Sequence, residues 1–128
     1  MNKTALLLGV AFCGLSVVLG AFGTHGLKDK LSDYSISVFN KGVMYQFFHG
    51  FGIILTVILD YNLKSLSFDT SIWLFVFGII LFSGSLYILA ITEVKWFGMI
   101  TPIGGIMFIL GWVSMFINVL KLKWSQGV

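Results

Sequence analysis

The chain has few charged residues, and all of its basic side chains except the two histidines are lysines. Charged residues make up 10% of 128 residues, against about 25% in an ordinary soluble domain. Hydrophobic residues make up 58%. A soluble domain of this length cannot bury so much apolar surface, because small domains leave a large fraction of their surface exposed. The composition therefore excludes an ordinary soluble fold and indicates one domain whose main solvent is lipid.

Cysteine and proline each occur only once. The single cysteine, Cys13, excludes an internal disulfide and leaves the redox compartment open. The net charge of +3 comes from dispersed lysines, which is too small an excess to indicate a nucleic-acid partner. It is typical of anchoring at anionic headgroups, where each lysine near the surface contributes about 1 kcal/mol. We therefore expect membrane lipid as a partner and no nucleic acid.

Four long apolar runs predict four transmembrane helices. Crossing about 30 Å of hydrocarbon takes about 20 helical residues, and backbone groups in lipid must pair internally, which favours helices over open strands. Pro102 suits the first turn of the last helix, and Trp73 and Trp124 lie near span ends, as interfacial aromatic residues do. The predicted fold class is an all-α integral membrane protein, with a single four-span domain over residues 1–128. The predicted spans are 4–23, 43–59, 72–91 and 102–120.

Two aspects of the topology have alternatives. The first run also resembles a cleaved signal peptide, with Lys3 before an apolar core and Ala21-Phe22-Gly23 after it. We interpret it as a span because its core is long and glycine continues beyond the possible cleavage site. Four spans place both termini on one side of the inner cell membrane, and the lysines divide equally between the two sides. The positive-inside rule therefore gives no orientation for this multi-pass protein.

The segment from Gly26 to Gly42 has an amphipathic pattern. Apolar residues recur at intervals of four, three and four among charged and polar ones, as Leu27, Leu31, Tyr34 and Val38. This pattern predicts a short amphipathic interfacial helix between spans one and two, lying in the headgroup plane. The alternative interpretation is an irregular polar loop.

Small residues predict where the helices pack. Lipid tails solvate leucine as well as another helix does, so close packing in a membrane depends on small side chains. In span one such residues are spaced four, three and four apart, which forms a stripe on one helix face. We favour a seam within the chain, and the alternative is a self-association face in a homo-oligomer. The predicted packing residues are Gly9, Cys13, Ser16, Gly20, Gly84, Gly104, Gly105 and Gly111.

Polar residues collect at one end of the predicted bundle. The connectivity places the end of spans one and three and the start of spans two and four at the same membrane face. Tyr45 lies four residues and Gln46 three residues before His49, so the three lie on or close to one helix face. An unpaired polar group in hydrocarbon costs several kcal/mol, so we expect this stripe to face the bundle. The candidate ligand-binding residues are His25, Tyr45, Gln46, His49, Ser83, Ser85, Tyr87, Glu93 and Thr101.

Four stretches of the chain resemble one protein family. They are AFGTHGL at 21–27, YQFFHG at 45–50, LFSGSLYILAIT at 81–92 and TPIGGIMFILGW at 101–112. Together they resemble the YwdK/YgdD-like bacterial membrane proteins, that is, uncharacterised protein family 0382 or domain of unknown function 423, with transmembrane protein 256 as a eukaryotic relative. One departure is Thr24, where the family usually has alanine. The resemblance implies a compact four-span inner-membrane protein and supplies no substrate.

Several functions are compatible with this pattern. The leading hypothesis is a non-enzymatic protein that binds a lipid, a small amphiphile or a partner helix at a polar pocket in one leaflet. The alternative is a small transporter or proton-conducting protein that uses Tyr45, Gln46 and His49, because intramembrane ionisable residues are functional candidates. A haem-binding or metal-binding redox protein is a weaker alternative, since no ligand spacing supports it. We therefore expect no cofactor, no metal and no catalytic residue. Assembly into a larger membrane complex is a further hypothesis.

Overall fold

The computed structural model describes residues 1–123, and in this part of the chain four long helices follow one another. They are α1 (Lys3–His25), α2 (Asp33–Asn62), α3 (Asp69–Thr92) and α4 (Thr101–Leu120), with a short 3-10 helix at Lys95–Met99 before α4. Each long helix, with α4 taken together with the 3-10 helix, is long and apolar enough to cross a membrane. The prediction of four apolar helices is thus confirmed. Trp124, predicted at a membrane interface, lies outside the described residues.

Helix α2 begins well before the predicted second span. It has 30 residues, whereas about 20 would cross the hydrocarbon. Ser32 caps it by accepting a hydrogen bond from the backbone N–H of Ser35 at 3.1 Å, and the helix then continues to Asn62. Residues 33–42, more than half of the predicted interfacial segment, are therefore the first turns of α2. The separate interfacial helix between spans one and two is not confirmed.

Side chains of α2 and α4 hydrogen-bond to the backbone of the connector between α2 and α3. The carboxylate of Asp60 accepts a hydrogen bond from the N–H of Phe68 at 2.9 Å. The amide of Asn118, near the end of α4, donates to the carbonyl of Ser67 at 2.8 Å. At the opposite end of α4, Pro102 lies in the first turn as predicted.

The helices pack in chain order, with α2 and α3 in the middle. Helix α2 packs against α1 and α3, and α3 packs against α2 and α4. The outer faces of α1 and α4 are apolar and exposed, as at Val17 (65% exposed) and Phe116 (64%), which is the surface expected to face lipid. The buried core lies between the helices and consists of Ala5, Ile53, Val57, Ile72, Phe75, Val76, Ile79 and Phe108.

The small residues of α1 face α2. A Cβ atom added to Gly9 would lie 2.9 Å from the side chain of Ile54 and 3.0 Å from the carbonyl oxygen of Gly50. The thiol of Cys13 lies 3.7 Å from the carbonyl oxygen of Phe47. A Cβ atom added to Gly20 would lie 3.5 Å from the side chain of Val43, which is an ordinary van der Waals distance. Ser16 is buried. The stripe therefore forms part of a seam within the chain.

Helices α3 and α4 meet closely at two of the predicted glycines. A Cβ atom added to Gly104 would overlap the backbone of Phe82, and one on Gly111 would lie 2.6 Å from the ring of Phe75. The contact at Gly105 is less close, since an added Cβ would lie 3.7 Å from the ring of Phe82. Gly84 is different, since an added Cβ would meet no heavy atom within 4 Å. The structure therefore does not place Gly84 at a helix contact, contrary to the prediction.

Candidate functional site

His49 lies in the middle of α2 within a cluster of aromatic rings. It is 6% exposed, and its ring stacks on Phe108 with the ring centroids 3.5 Å apart. Phe75 and Trp112 meet the imidazole edge-on at centroid distances of 5.5 Å and 5.9 Å. The ring of Tyr45 lies parallel to it at 6.0 Å. The imidazole therefore packs against protein on α3 and α4 and does not point into the acyl chains.

Both ring nitrogens of His49 have partners that determine its protonation. Nδ1 lies 2.8 Å from the carbonyl oxygen of Tyr45, and a carbonyl can only accept, so Nδ1 carries the proton. The indole N–H of Trp112 donates to Nε2 at 3.0 Å, and an indole can only donate, so Nε2 is unprotonated. These partners assign the neutral Nδ1–H tautomer. No lone pair on His49 is left for a metal or haem iron.

Gln46, one turn before His49, connects α2 to two other helices. The side chain is 4% exposed. Its amide nitrogen donates to the carbonyl oxygen of Phe12 in α1 at 3.0 Å. Its amide oxygen accepts from the hydroxyl of Tyr87 in α3 at 2.7 Å. One buried carboxamide thus joins α1, α2 and α3, and its two ends are both paired.

Two serines of α3 form further hydrogen bonds to neighbouring helices. The hydroxyl of Ser83 donates to the carbonyl oxygen of Gly42 in α2 at 2.7 Å. The hydroxyls of Ser85 and Thr101 are hydrogen-bonded at 2.6 Å, which joins α3 to the first residue of α4. We call this set of side chains the inter-helix network: Tyr45, Gln46, His49, Ser83, Ser85, Tyr87, Thr101 and Trp112.

Two predicted site residues lie outside the inter-helix network. His25 is the last residue of α1 and is exposed. Glu93, also exposed, follows α3 with a φ of 55°, in the left-handed region. Its carboxylate accepts hydrogen bonds from the hydroxyls of Ser32 at 3.3 Å and Ser35 at 3.1 Å. Glu93 therefore fastens the end of α3 to the start of α2 instead of lining a site with His49.

The side chains of the inter-helix network use most of their polar groups within the protein, whereas the sequence pattern predicts that they line a polar pocket. Tyr45 contributes its backbone carbonyl, and the other side chains hydrogen-bond to one another or to backbone carbonyls, as described above. Trp112 is the member that the candidate residues did not include. Its position in the sequence could have indicated it. Tryptophan usually lies near membrane interfaces, whereas Trp112 lies in the middle of α4. Its indole N–H therefore needs a partner inside the protein.

Two grooves open beside the network along α2. The terminal groove, of about 480 Å³, lies where α4 begins, and the central groove, of about 500 Å³, lies beside His49. The terminal groove is lined by Tyr34, Ser37, Val38, Lys41, Phe82, Leu86, Leu89, Gly98, Thr101 and Pro102. The central groove is lined by Met44, Tyr45, Phe48, His49, Phe51, Gly52, Leu55 and Trp112.

The four apolar helices and the buried hydrogen bonds between them define a small membrane protein that spans the bilayer several times. The family described as Protein of unknown function (DUF423) matches residues 19–105. A UPF0382 membrane protein of Staphylococcus epidermidis is 44% identical over 119 residues, which cover 93% of this chain and 97% of the relative. UPF0382 membrane protein YwdK of Bacillus subtilis is 41% identical over 120 residues, with 93% and 98% covered.

The chain therefore belongs to the DUF423 family of membrane proteins, and the family resemblance seen in its sequence motifs is confirmed. No solved structure matches it.

Proposed function

We propose that the protein is a non-enzymatic protein of the inner cell membrane that binds a membrane lipid in one leaflet, at the terminal groove. The observation that supports this function is the lining of that groove. Apolar side chains such as Val38, Leu86 and Leu89 form its walls, while Lys41 and Ser37 lie at its exposed edge. An amphiphile has the complementary division, with hydrocarbon for the walls and a polar group for the cation and hydroxyl.

The depth of the terminal groove fits this proposal. Gly98 and Thr101 line it at the start of α4, and Lys41 lies just before the long apolar run of α2. These positions correspond to the boundary between headgroups and hydrocarbon, where lysine side chains extend their charge toward water. The amphipathic first turns of α2 would then stand at the level of the headgroups. A lipid of one leaflet can reach such a groove from the side.

The inter-helix network supports a binding role over proton conduction. Relaying a proton through His49 would require a proton on Nε2, which already accepts the indole N–H of Trp112. Two N–H donors would then face each other at a distance of 3.0 Å. The alternatives of a haem or metal site gain no support either, because both imidazole nitrogens are occupied.

Lipid-dependent stability in detergent tests the proposed function. Val38→Trp would fill the terminal groove, and Val18→Trp on the exposed face of α1 is the matched control, since Val18 is 62% exposed. We expect added phospholipid to raise the midpoint of thermal unfolding of the wild type and of Val18→Trp but not of Val38→Trp. The absence of any shift in the wild type, or an equal shift in Val38→Trp, would contradict the proposal.

A further inference from the structure

The terminal and central grooves follow one continuous face of α2. Seven of the α2 residues that line them recur at alternating intervals of four and three, as Tyr34, Val38, Lys41, Tyr45, Phe48, Gly52 and Leu55. Such spacing keeps side chains on a single stripe of a helix. Lys41 in the terminal groove and Tyr45 in the central groove are one turn apart. The two grooves therefore lie one after the other along the same face of α2, and we call the two together the trough.

The trough is long enough to extend through the hydrocarbon of one leaflet of a bilayer. Lys41 and Leu55 are separated by fourteen residues, or about 21 Å along the helix at 1.5 Å per residue. One leaflet of hydrocarbon is about 15 Å thick, half of the 30 Å core. Helix α4 follows the same path, with Thr101 at the shallow end and Trp112 at the deep end. A chain that enters beside Lys41 can thus remain in the trough to mid-membrane.

The trough also has a gradient of charge. Its shallow end has the ammonium group of Lys41, and Lys95 lines a neighbouring hollow with Tyr34 and Glu93. Glu93, whose carboxylate accepts hydrogen bonds from two serine hydroxyls, offsets the charge of Lys95 in that hollow, so Lys41 supplies the net positive charge at the shallow end. The lining of the central groove has no formally charged side chain, since His49 is neutral. A molecule that complements the trough therefore has a negative group at one end and a long apolar chain.

We propose that the ligand of this trough is a glycerophospholipid whose headgroup has a net negative charge. Its phosphate lies at Lys41, and one acyl chain follows the central groove along Tyr45 and Phe48 toward Trp112. The inference rests on the proposed lipid-binding function and adds the charge of the headgroup and the path of the chain. A lysine near the membrane surface favours an anionic over a zwitterionic headgroup by about fivefold in affinity.

Competition between two lipids tests the headgroup assignment. The probes are phosphatidylglycerol and phosphatidylcholine with identical acyl chains, titrated into the full-length protein in detergent and followed by native mass spectrometry. We expect the wild type to bind phosphatidylglycerol about fivefold more tightly. Lys41→Gln should lose that preference while retaining phosphatidylcholine. Lys64→Gln, which changes an exposed lysine at the other end of the bundle, should keep it.

The path of the acyl chain has a separate test in the wild type, which does not depend on the folding of any variant. Phosphatidylglycerol with a photoreactive group near the end of its acyl chain should crosslink to the segment around Phe48 and Leu55 or to Trp112. Crosslinks confined to the outer face of α1 would overturn the assigned path. Leu55→Trp should weaken binding, and Leu15→Trp, which changes an exposed leucine of α1, should not.

The outcomes separate this inference from the proposed function. Equal affinity for the two lipids in the wild type, or a preference that survives Lys41→Gln, would overturn the assignment of an anionic headgroup. The proposed function would still stand if binding of either lipid is lost in Val38→Trp. If the wild type binds neither lipid, both the function and the headgroup assignment are wrong.

Discussion

At the scale of single residues, His49 joins helices by using both nitrogens of a neutral ring. The spacing of Tyr45, Gln46 and His49 predicts that they share one face of α2, and the structure places that face toward the bundle, with Gln46 and His49 buried. The partner Trp112 could not be predicted in this way. Which residue of α4 meets His49 depends on the axial offset and rotation of two helices, and neither quantity is present in the pattern of one helix.

A double-mutant cycle measures the hydrogen bond between His49 and Trp112. His49→Phe and Trp112→Phe each retain an aromatic ring and remove one partner of the bond. We expect each substitution to lower the free energy of unfolding, and the pair to show a coupling energy of about 0.6 to 1.7 kcal/mol. Denaturant titration in mixed micelles provides the measurement. Trp73→Phe is the control, because it removes an indole that has no hydrogen bond to residues 1–123. Strictly additive effects would contradict the assignment.

A second prediction concerns the buried carboxamide of Gln46. Tyr87→Phe removes the hydroxyl that donates to its amide oxygen at 2.7 Å and leaves that oxygen unpaired inside the protein. We expect a loss of about 1 to 3 kcal/mol in the free energy of unfolding, the cost of an unsatisfied buried acceptor. Tyr61→Phe is the matched control, because Tyr61 is 52% exposed. Equal stability of the two variants would show that the hydrogen bond contributes nothing.

At the scale of helices, glycines determine how closely neighbouring elements approach. The stripe from Gly9 to Gly20 could be found from spacing alone. Gly42 and Gly78 could not, although an added Cβ would lie 2.8 Å from Tyr87 and 2.6 Å from Phe108 respectively. A close approach of this kind depends on a large side chain opposite the glycine, so it is a property of two helices together. The same reason explains why Gly84, selected by residue type, has open space around it.

Two alanine substitutions separate a packed glycine from an unpacked one. Gly104→Ala places a methyl group against the backbone of Phe82, and such overpacking costs about 1 to 3 kcal/mol. Gly84→Ala meets no neighbour within 4 Å and gains helix propensity, worth up to about 1 kcal/mol. We expect the midpoint of thermal unfolding to fall in Gly104→Ala and to stay or rise in Gly84→Ala. The reverse order would contradict the helix contacts described here.

The turn after α3 provides a second test at this scale. Glu93 adopts a left-handed backbone conformation, which costs a residue with a Cβ about 1 to 2 kcal/mol, and its carboxylate binds two serines. Glu93→Ala removes the hydrogen bonds and keeps the strain, whereas Glu93→Gly removes both. We therefore expect Glu93→Ala to have the lower unfolding midpoint of the two. A lower midpoint for Glu93→Gly would show that backbone strain is not important there.

At the scale of the whole molecule, the number of helices was predictable and the length of α2 was not. Apolar runs long enough to cross a bilayer are visible without any tertiary information. An amphipathic segment before such a run has the same pattern whether it lies in the headgroup plane or continues into the span. Gly42 lies at the junction, and here it packs against Tyr87 inside a continuous helix. That contact comes from α3, so only the folded protein decides between the two arrangements.

The up-and-down order of the four helices predicts which connectors share a side of the membrane. In a Cys13→Ser background, Lys64→Cys and Lys30→Cys introduce single thiols at exposed positions of two successive connectors. We expect a membrane-impermeant maleimide to label them from opposite faces, in sealed vesicles of the two orientations. Lys3→Cys should be labelled from the same face as Lys64→Cys. Labelling of Lys30→Cys and Lys64→Cys from one face would rule out the four-span topology.

The inter-helix network limits how the bundle can move. A carrier that works by alternating access needs two stable arrangements of its helices, and buried polar groups must find partners in both. The side chains of Gln46 and His49 are hydrogen-bonded to residues of α1, α3 and α4. A sliding movement of these helices would therefore leave buried polar groups without hydrogen-bond partners. A binding protein with a fixed helix arrangement is compatible with such hydrogen bonding, whereas an alternating-access carrier is not. Release of the lipid in the proposed function would then occur by its lateral diffusion from the edge of the bundle.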